Sequence, residues 1–558
     1  MSVLGWLDRF GGYLPAAIAL LLPVVFLPGA SDTYILPRAS VVIGGACLGV
    51  GLALLRRGGP GLGALRLPLA AAAGAALLAF AFSISWPLSL AGSYTRYESL
   101  PMRLSYLGLL ASAAWLIRTH RQRDWLVGAF VFSVSVACIK AWIQWFAHVP
   151  FRPDGDLGNA NLLAALIVMA APLAVERALR NTTFVWAWAG ALVILAAGLF
   201  VTTSRSGAVG VAAGALALLV FKLPRRFALP VGAVSAGAVL LGVVGLLASP
   251  LRNLNDDPPE LRLHLWADGL RLIAARPVTG WGEDATGLSF GHFLSQDYAS
   301  LVTFDRVHSG PLDVAATQGL LGAAALAWIL VLLFRAAWTR RGDFGVAGVA
   351  AALAGYSAWV FLNFDWAPAT GAFWLLAGTM WNAASPPPRD EKVRNERGRD
   401  GTRPWQPAAA VALIVAAVAL AVFPVLSDTW YLKGRSDLAV RYDPLQAQYH
   451  WSLGDGLIAQ GNLSGGVAEL RVAADYGETE PALYVELGDR EAQLGNRDQA
   501  RRAYQRALEI DPFYSPAAQR LTALNGQARG RSCLRRGCGD LPEVTVRVAE
   551  PAEVTAPL

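Results

Sequence analysis

This chain is short of charge. Of its 558 residues, 16% are Asp, Glu, Lys or Arg, against about 25% in soluble domains, and the mean hydropathy is +0.42. An ordinary soluble globular protein is excluded. Cysteine is scarce too, with four in all. Cys47 and Cys138 fall inside apolar runs and read as small core residues. Cys533 and Cys538 lie in a Gly/Arg-rich tail, where an oxidising compartment would let them pair, and are too isolated for a zinc site. No acidic cluster has metal-ligand spacing; the Asp256-Asp257 pair fits a helix cap better, so no metal and no cofactor are expected. A concentrated basic patch is missing as well. The net charge of +7 is scattered over short loops, which argues against nucleic-acid binding.

Apolar runs are what the chain has in abundance. About thirteen have the roughly 17–25 residues that suit a bilayer core. They lie near 13–29, 35–55, 67–86, 101–117, 125–146, 160–178, 183–203, 207–223, 227–248, 310–334, 344–362, 366–384 and 407–427. The first lacks a small-residue cleavage site and reads as a retained helix. With the N-terminus inside, the inside loops collect Arg56, Arg57 and Arg66; Arg118, Arg121 and Arg123; Arg177 and Arg180; Lys222, Arg225 and Arg226; and Arg335, Arg340 and Arg341. The basic 389–403 stretch joins them. This asymmetry orients the chain and puts both the 249–309 loop and the C-terminal region outside.

The C-terminal third repeats itself. Leu453-Gly454-Asp455 returns as Leu487-Gly488-Asp489, 34 residues on, and Gly461-Asn462 returns as Gly495-Asn496. Asp443-Pro444 and Asp511-Pro512 are two periods apart, and Ala473 matches Ala507. The pattern resembles the tetratricopeptide repeat, with 428–442 and a helix over 515–525 as caps. Such an array offers a concave surface to a protein or glycan partner, or serves as a structural appendage. Beyond about Gly526 the composition predicts disorder.

Sixty-one mostly polar residues, Ser249 to Ser309, interrupt the apolar runs. Asp256-Asp257-Pro258-Pro259-Glu260 reads as a helix start, and Pro277 ends that helix after Arg276. Arg262, Trp266, Gly269 and Ile273 share one face; His264, Asp268 and Arg271 share another. The helix either lies on the membrane surface or points Arg262 at an anionic head group. The loop closes on Asp305, Arg306, His308 and Ser309 at the entrance of the next span. Ionisable groups at that depth are functional candidates, and His308 suits a general base near neutral pH. Gly319 and Gly322 would let a neighbouring helix approach. At Thr202-Thr203-Ser204-Arg205-Ser206-Gly207 two spans join with almost no loop. Arg205 must therefore snorkel or meet an anion, and its fork suits a phosphate. Tyr94, Arg96 and Glu98 suit a sugar, or form an interfacial aromatic belt. Arg38 is a weaker candidate of the Arg205 type.

Residues 308–322 resemble the signature of the O-antigen ligase and polymerase superfamily: His, a small polar residue, nine residues, Gly, two residues, Gly. Ser204-Arg205-Ser206-Gly207 is similar to the family's arginine at a span end. Arg262 to Gly280-Trp281-Gly282 is similar to its periplasmic helix and turn. The resemblance covers about 1–385 and implies an all-α polytopic membrane fold, of about 12–13 spans with the final one counted. A basic linker (386–406), a final span (407–427), repeats (428–525) and a tail (526–558) then follow. It further implies a metal-independent, inverting glycosyltransferase of a bacterial inner membrane, facing the periplasm. A glycan on a polyprenyl-diphosphate carrier is the donor. His308 handles the acceptor hydroxyl, and Arg205 and Arg262 hold the diphosphate; from their own chemistry and placement, Arg38, Tyr94, Arg96, Glu98 and Arg306 are expected as secondary substrate contacts. The acceptor is a lipid A-core sugar, or else another glycan chain or a protein hydroxyl. A transporter would call for charges at span centres; here they cluster at span ends.

Overall fold

The computed structural model describes residues 10–55, 62–180, 184–224, most of 226–237, 259–298, 303–385 and 405–536. These residues form helices and no strand. Before the long loop come α1 (Leu14–Val24), α2 (Ile35–Leu55), α3 (Arg66–Ala81), α4 (Trp86–Ala91), α5 (Leu100–Leu116), α6 (His120–Phe146), α7 (Ala160–Leu179), α8 (Val185–Thr202) and α9 (Arg205–Lys222). The loop holds α10 (Pro259–Ala275) and α11 (Gly287–Phe290). Then come α12 (Gly310–Thr339), α13 (Phe344–Phe361), α14 (Ala367–Ala384) and α15 (Trp405–Leu432).

The chain is a polytopic membrane protein. Among the described residues, eight helices are long and apolar enough to cross a membrane: α2, α3, α6, α7, α8, α9, α12 and α15. The remaining expected runs are also helices, except 227–248, which lies mostly outside the described residues. α1 and α13 are apolar but shorter. α14 is buried along almost its whole length, so it answers to protein neighbours rather than lipid. Its Thr379 and Thr370 hydroxyls bond to Leu375 O and the Tyr356 hydroxyl. Asp256, Asp257 and the basic linker lie outside the described residues, as does most of the tail with Cys538.

Small residues bring α9 and α13 together. A Cβ on Gly210 would stand 3.2 Å from the carbonyl of Gly355, and one on Gly355 only 2.8 Å from that of Gly210. The two helices are antiparallel. Five residues from this contact, about 7.5 Å along each axis, Arg205 and Val360 therefore stand at the same depth.

α12 is one run in sequence but two pieces in space. Gly319 has φ 68° and ψ −174°, a region open essentially to glycine alone. The expected role of Gly319 in admitting a neighbouring helix is corrected here: it admits a turn. Leu320 N–H donates to Pro277 O at 2.7 Å, and the N–H groups of Trp281 and Gly282 donate to Ala316 O at 2.9 Å and Thr317 O at 3.0 Å. The Pro277–Gly282 turn thus takes over backbone partners that the break releases. Such a break is tolerated at membrane depth only when protein covers it. A Cβ on Gly319 would collide with Val278 O, and one on Gly280 with Thr317 O.

After α15 come α16 (Ser436–Tyr442), α17 (Ala447–Ala459), α18 (Leu463–Asp475), α19 (Pro481–Gln493), α20 (Arg497–Ile510) and α21 (Ser515–Arg536). The starts of α17 and α19 keep the sequence period, as do those of α18 and α20. α21 runs past the expected end at 525, because Ala, Gln, Arg and Leu sustain a helix; the start of the tail is helical.

The repeats dock directly on the membrane bundle. Leu88, Ala285 and Leu288 share one core with Val467, Leu470, Leu483 and Ile510. Ser85 Oγ donates to Tyr476 O at 3.3 Å, and Gln446 Nε2 to Gly92 O at 3.2 Å. Asp428, at the end of α15, accepts from Asp32 N at 2.7 Å, Tyr94 OH at 2.8 Å and Tyr449 OH at 3.1 Å.

Candidate active site

The loop ends described above converge on one face of the bundle. α10 is amphipathic as expected, but it is packed on protein. Leu265, Leu272 and Ile273 join Phe290, Val307, Ala315 and Ala316 in a small core. Gly269 faces the Val307 side chain so closely that a Cβ there would collide. Trp266 meets the Phe361 ring at 5.4 Å, and Arg262 Nη1 donates to Leu362 O. Asp268, expected on a second face, is buried and accepts from Ser295 N at 2.8 Å and Tyr298 OH at 2.6 Å. The helix thereby holds both flanks of the segment that ends in His308.

Asp284 staples the site. It has left-handed backbone, φ 56°. Its carboxylate accepts from Ser93 N at 2.9 Å, Glu98 N at 3.2 Å and the buried Arg306 guanidinium. Burial works against the charge on Arg306, but Asp284 and Asp305 outweigh it and raise the pKa. Arg306 is therefore spent on a buried pair. Its backbone carbonyl receives His308, whose Nδ1 lies 3.1 Å away.

That contact fixes the imidazole. A carbonyl only accepts, so Nδ1 carries the proton and Nε2 keeps its lone pair. His308 has φ 60°, an uncommon backbone for a bulky residue and one that collects at functional sites. Burial holds its pKa below the ordinary 6.5, with Arg262 and Arg96 acting in the same direction and the Arg306 carbonyl and Asp305 opposing. The ring is half-buried, edge-on to Phe304 at 6.1 Å and Phe364 at 5.2 Å.

Arg205 opens α9, with Ser204 as its cap: Gly207 N donates to Ser204 Oγ at 3.1 Å. It sits at the depth of Val360, two residues from the carbonyl that receives Arg262. Arg152 docks on the same turn, donating from Nη2 to Thr202 O at 2.7 Å.

Besides Arg306, three expected contacts turn out differently. Arg38 is fully buried and donates to Leu22, Pro23, Tyr34 and Asp156 carbonyls; it ties loops together rather than facing a ligand. Tyr94 packs among Tyr97, Tyr431 and Tyr449, with its hydroxyl on Asp428, at the junction with the repeats. Glu98 is buried, with Tyr106 OH donating to it at 2.6 Å, and burial pushes its pKa up to about 7. Arg96 alone of that loop reaches the mouth. Its guanidinium pairs with Asp305 at 3.0 Å.

Several residues of the site were not singled out from sequence. Arg103 is buried against Glu283 at 3.1 Å and Asp365 at 2.7 Å. Gln318 Nε2 donates to Glu283 at 2.6 Å, which carries the helix break into the charge network. Phe364 and Trp366 frame Arg96 at 4.9 and 5.0 Å. An arginine placed inside the 101–117 run was the one available signal. Glu98 Oε2, Arg103 Nη2, Ser309 Oγ and Asp313 Oδ2 are buried without a hydrogen-bond partner among the described residues, so polar capacity remains for substrate or water. Beneath lies a cavity of about 120 Å³. Arg103, Gln318 and Asp365 mark its polar end; Leu326, Ile329, Phe373 and Trp374 line its apolar part.

Residues 190–327 match the O-antigen ligase family. That segment, about a quarter of the chain, is similar to an O-antigen ligase domain. The matched segment contains Arg205, Arg262, His308 and the Gly319 break. Residues 481–514 match the tetratricopeptide repeat, covering α19 and α20. No curated protein matches the chain. The first match supports activity of the ligase or polymerase type in the broad sense, and the second matched segment is of a kind used in protein interaction.

Proposed function

We propose that this chain transfers a glycan from a polyprenyl-diphosphate carrier to an acceptor hydroxyl, at the periplasmic face of a bacterial inner membrane. The observation that carries the reading is the His308–Arg306 contact. It leaves Nε2 as a base in a half-buried position at the head of a membrane helix, and burial, helped by Arg262 and Arg96, favours the neutral ring. The acceptor hydroxyl gives its proton to Nε2 as its oxygen attacks the anomeric carbon. The bond to the diphosphate breaks on the opposite side, with inversion. Arg205 and Arg262, at matching depth around the end of α13, stabilise the charge that develops on the leaving diphosphate. The apolar cavity below suits part of the carrier's hydrocarbon chain.

A lipid A-core sugar is the acceptor in this reading. Deleting the gene and analysing surface glycans by gel and mass spectrometry tests it. Full-length glycan left on the lipid carrier is the expected outcome. Shortened chains would assign a polymerase instead, and loss of a glycoprotein would assign a protein O-oligosaccharyltransferase. Unchanged glycans and glycoproteins would reject transfer altogether.

A further inference from the structure

Beside His308 lies a surface with a different chemistry from the arginine-lined side. Arg96 and Asp305 meet through two parallel contacts, Nε to Oδ2 at 3.0 Å and Nη2 to Oδ1 at 3.3 Å. The same guanidinium lies over the Phe364 and Trp366 rings, and Phe364 touches the His308 ring. Trp366 Nε1 donates to Thr95 O at 3.3 Å, and Thr95 and Tyr97 flank Arg96 with φ of 70° and 56°. The loop is held in an uncommon conformation, and its consequence is to present Arg96 here. Unlike buried Arg306 and Glu98, the Arg96 and Asp305 side chains keep 24% and 22% of their surface exposed, and Trp366 is half-buried. The repeat domain supplies the facing wall. A Cβ on Gly287 would stand 3.1 Å from Thr479 Cγ2 and 3.2 Å from Asp305 Cβ, and Glu480 feels the Asp305 charge.

We propose that Trp366, Arg96 and Asp305 form the acceptor subsite and that it takes a pyranose sugar. The proposal rests on His308 being the acceptor-side base. A sugar ring has an apolar C–H face that packs on an indole and hydroxyls that bond around its edge. A carboxylate accepts at about four lone-pair positions, and Arg96 occupies only two of those on Asp305. The neighbouring arginines keep Asp305 ionised against its burial, so it accepts and does not donate. An anion such as the diphosphate would be repelled there, which separates this surface from the Arg205 and Arg262 side. A serine or threonine of a peptide offers one hydroxyl and no ring, and leaves most of the surface unused.

The test uses the full chain in nanodiscs with purified lipid-linked donor. The acceptors are a rough-lipopolysaccharide core oligosaccharide and a Ser/Thr-rich peptide. Trp366→Ala should raise KM for the oligosaccharide about tenfold while donor binding is unchanged, and Trp366→Phe should recover most of the loss. Saturation-transfer NMR with the oligosaccharide alone should show ring protons contacting the wild type and not Trp366→Ala. Unchanged acceptor KM in Trp366→Ala, parallel loss of donor binding, or preferred transfer to the peptide would each overturn the subsite. If instead His308→Ala kept normal turnover, the underlying reading would fail, whatever the Trp366 result.

Discussion

The N–H of Leu320 donates to the carbonyl of Pro277 at 2.7 Å, joining a helix break to a turn forty-three residues earlier in the chain. Through it, Gln318 and Glu283 meet, and the charge network around Arg103 is anchored to the entrance of α12.

Gly319 is the pivot of that joint. Gly319→Ala would force a Cβ into Val278 O in a backbone region closed to alanine. The expected cost is about 1–3 kcal/mol, with lowered thermal stability in detergent and strongly reduced transfer. Wild-type stability in Gly319→Ala would mean that the turn and the break do not depend on each other.

For His308, removal of the base should cost about 10²–10⁴-fold in transfer, with donor binding retained. The pH profile carries a sign. Burial lowers the imidazole pKa, so the neutral base persists below the ordinary 6.5, and the acid limb of the rate should lie under that value. A limb at or above it would place the titrating group elsewhere.

Arg205 is held at the span end by a two-residue turn. Arg205→Lys keeps the charge and loses the planar fork, so transfer should fall at least about tenfold while expression and folding stay normal. Donor binding, measured with the lipid-linked glycan, should weaken in step. Full activity in the lysine variant would remove the diphosphate role.

Orientation is tested by single cysteines at Ser295 and Ser464, both exposed. Each should react with an impermeant thiol reagent in intact spheroplasts. Labelling of both only after lysis would place the site and the repeats in the cytoplasm.

Periodicity made most of the fold legible, because apolar runs and a 34-residue repeat are local patterns. Arg205 and His308 stood out for the same reason: charges at span ends are conspicuous. The aromatic residues around Arg96 were not legible. Phe364 and Trp366 come from a five-residue link between spans, and only the fold brings them to a loop more than 250 residues away. Tyr94 misled because its neighbours in sequence suit a sugar, while its neighbours in space are Tyr431, Tyr449 and Asp428. Gly319 was read as a packing glycine, since nothing nearby in sequence announces that a distant turn will fill the break.

The Asp428 carboxylate has a practical consequence. Asp32, Tyr94 and Tyr449 all bond to it, so the last span completes the loops that open α2 and α5. Truncating the chain before 405 would strand the Asp32 amide and take the Asp428 partner from the Tyr94 hydroxyl, on the loop that carries Arg96. Inactivity of the shortened chain would therefore say nothing about recruitment by the repeats. Separating the two contributions requires point substitutions on the exposed surfaces of α17 to α21, with Asp428 left in place.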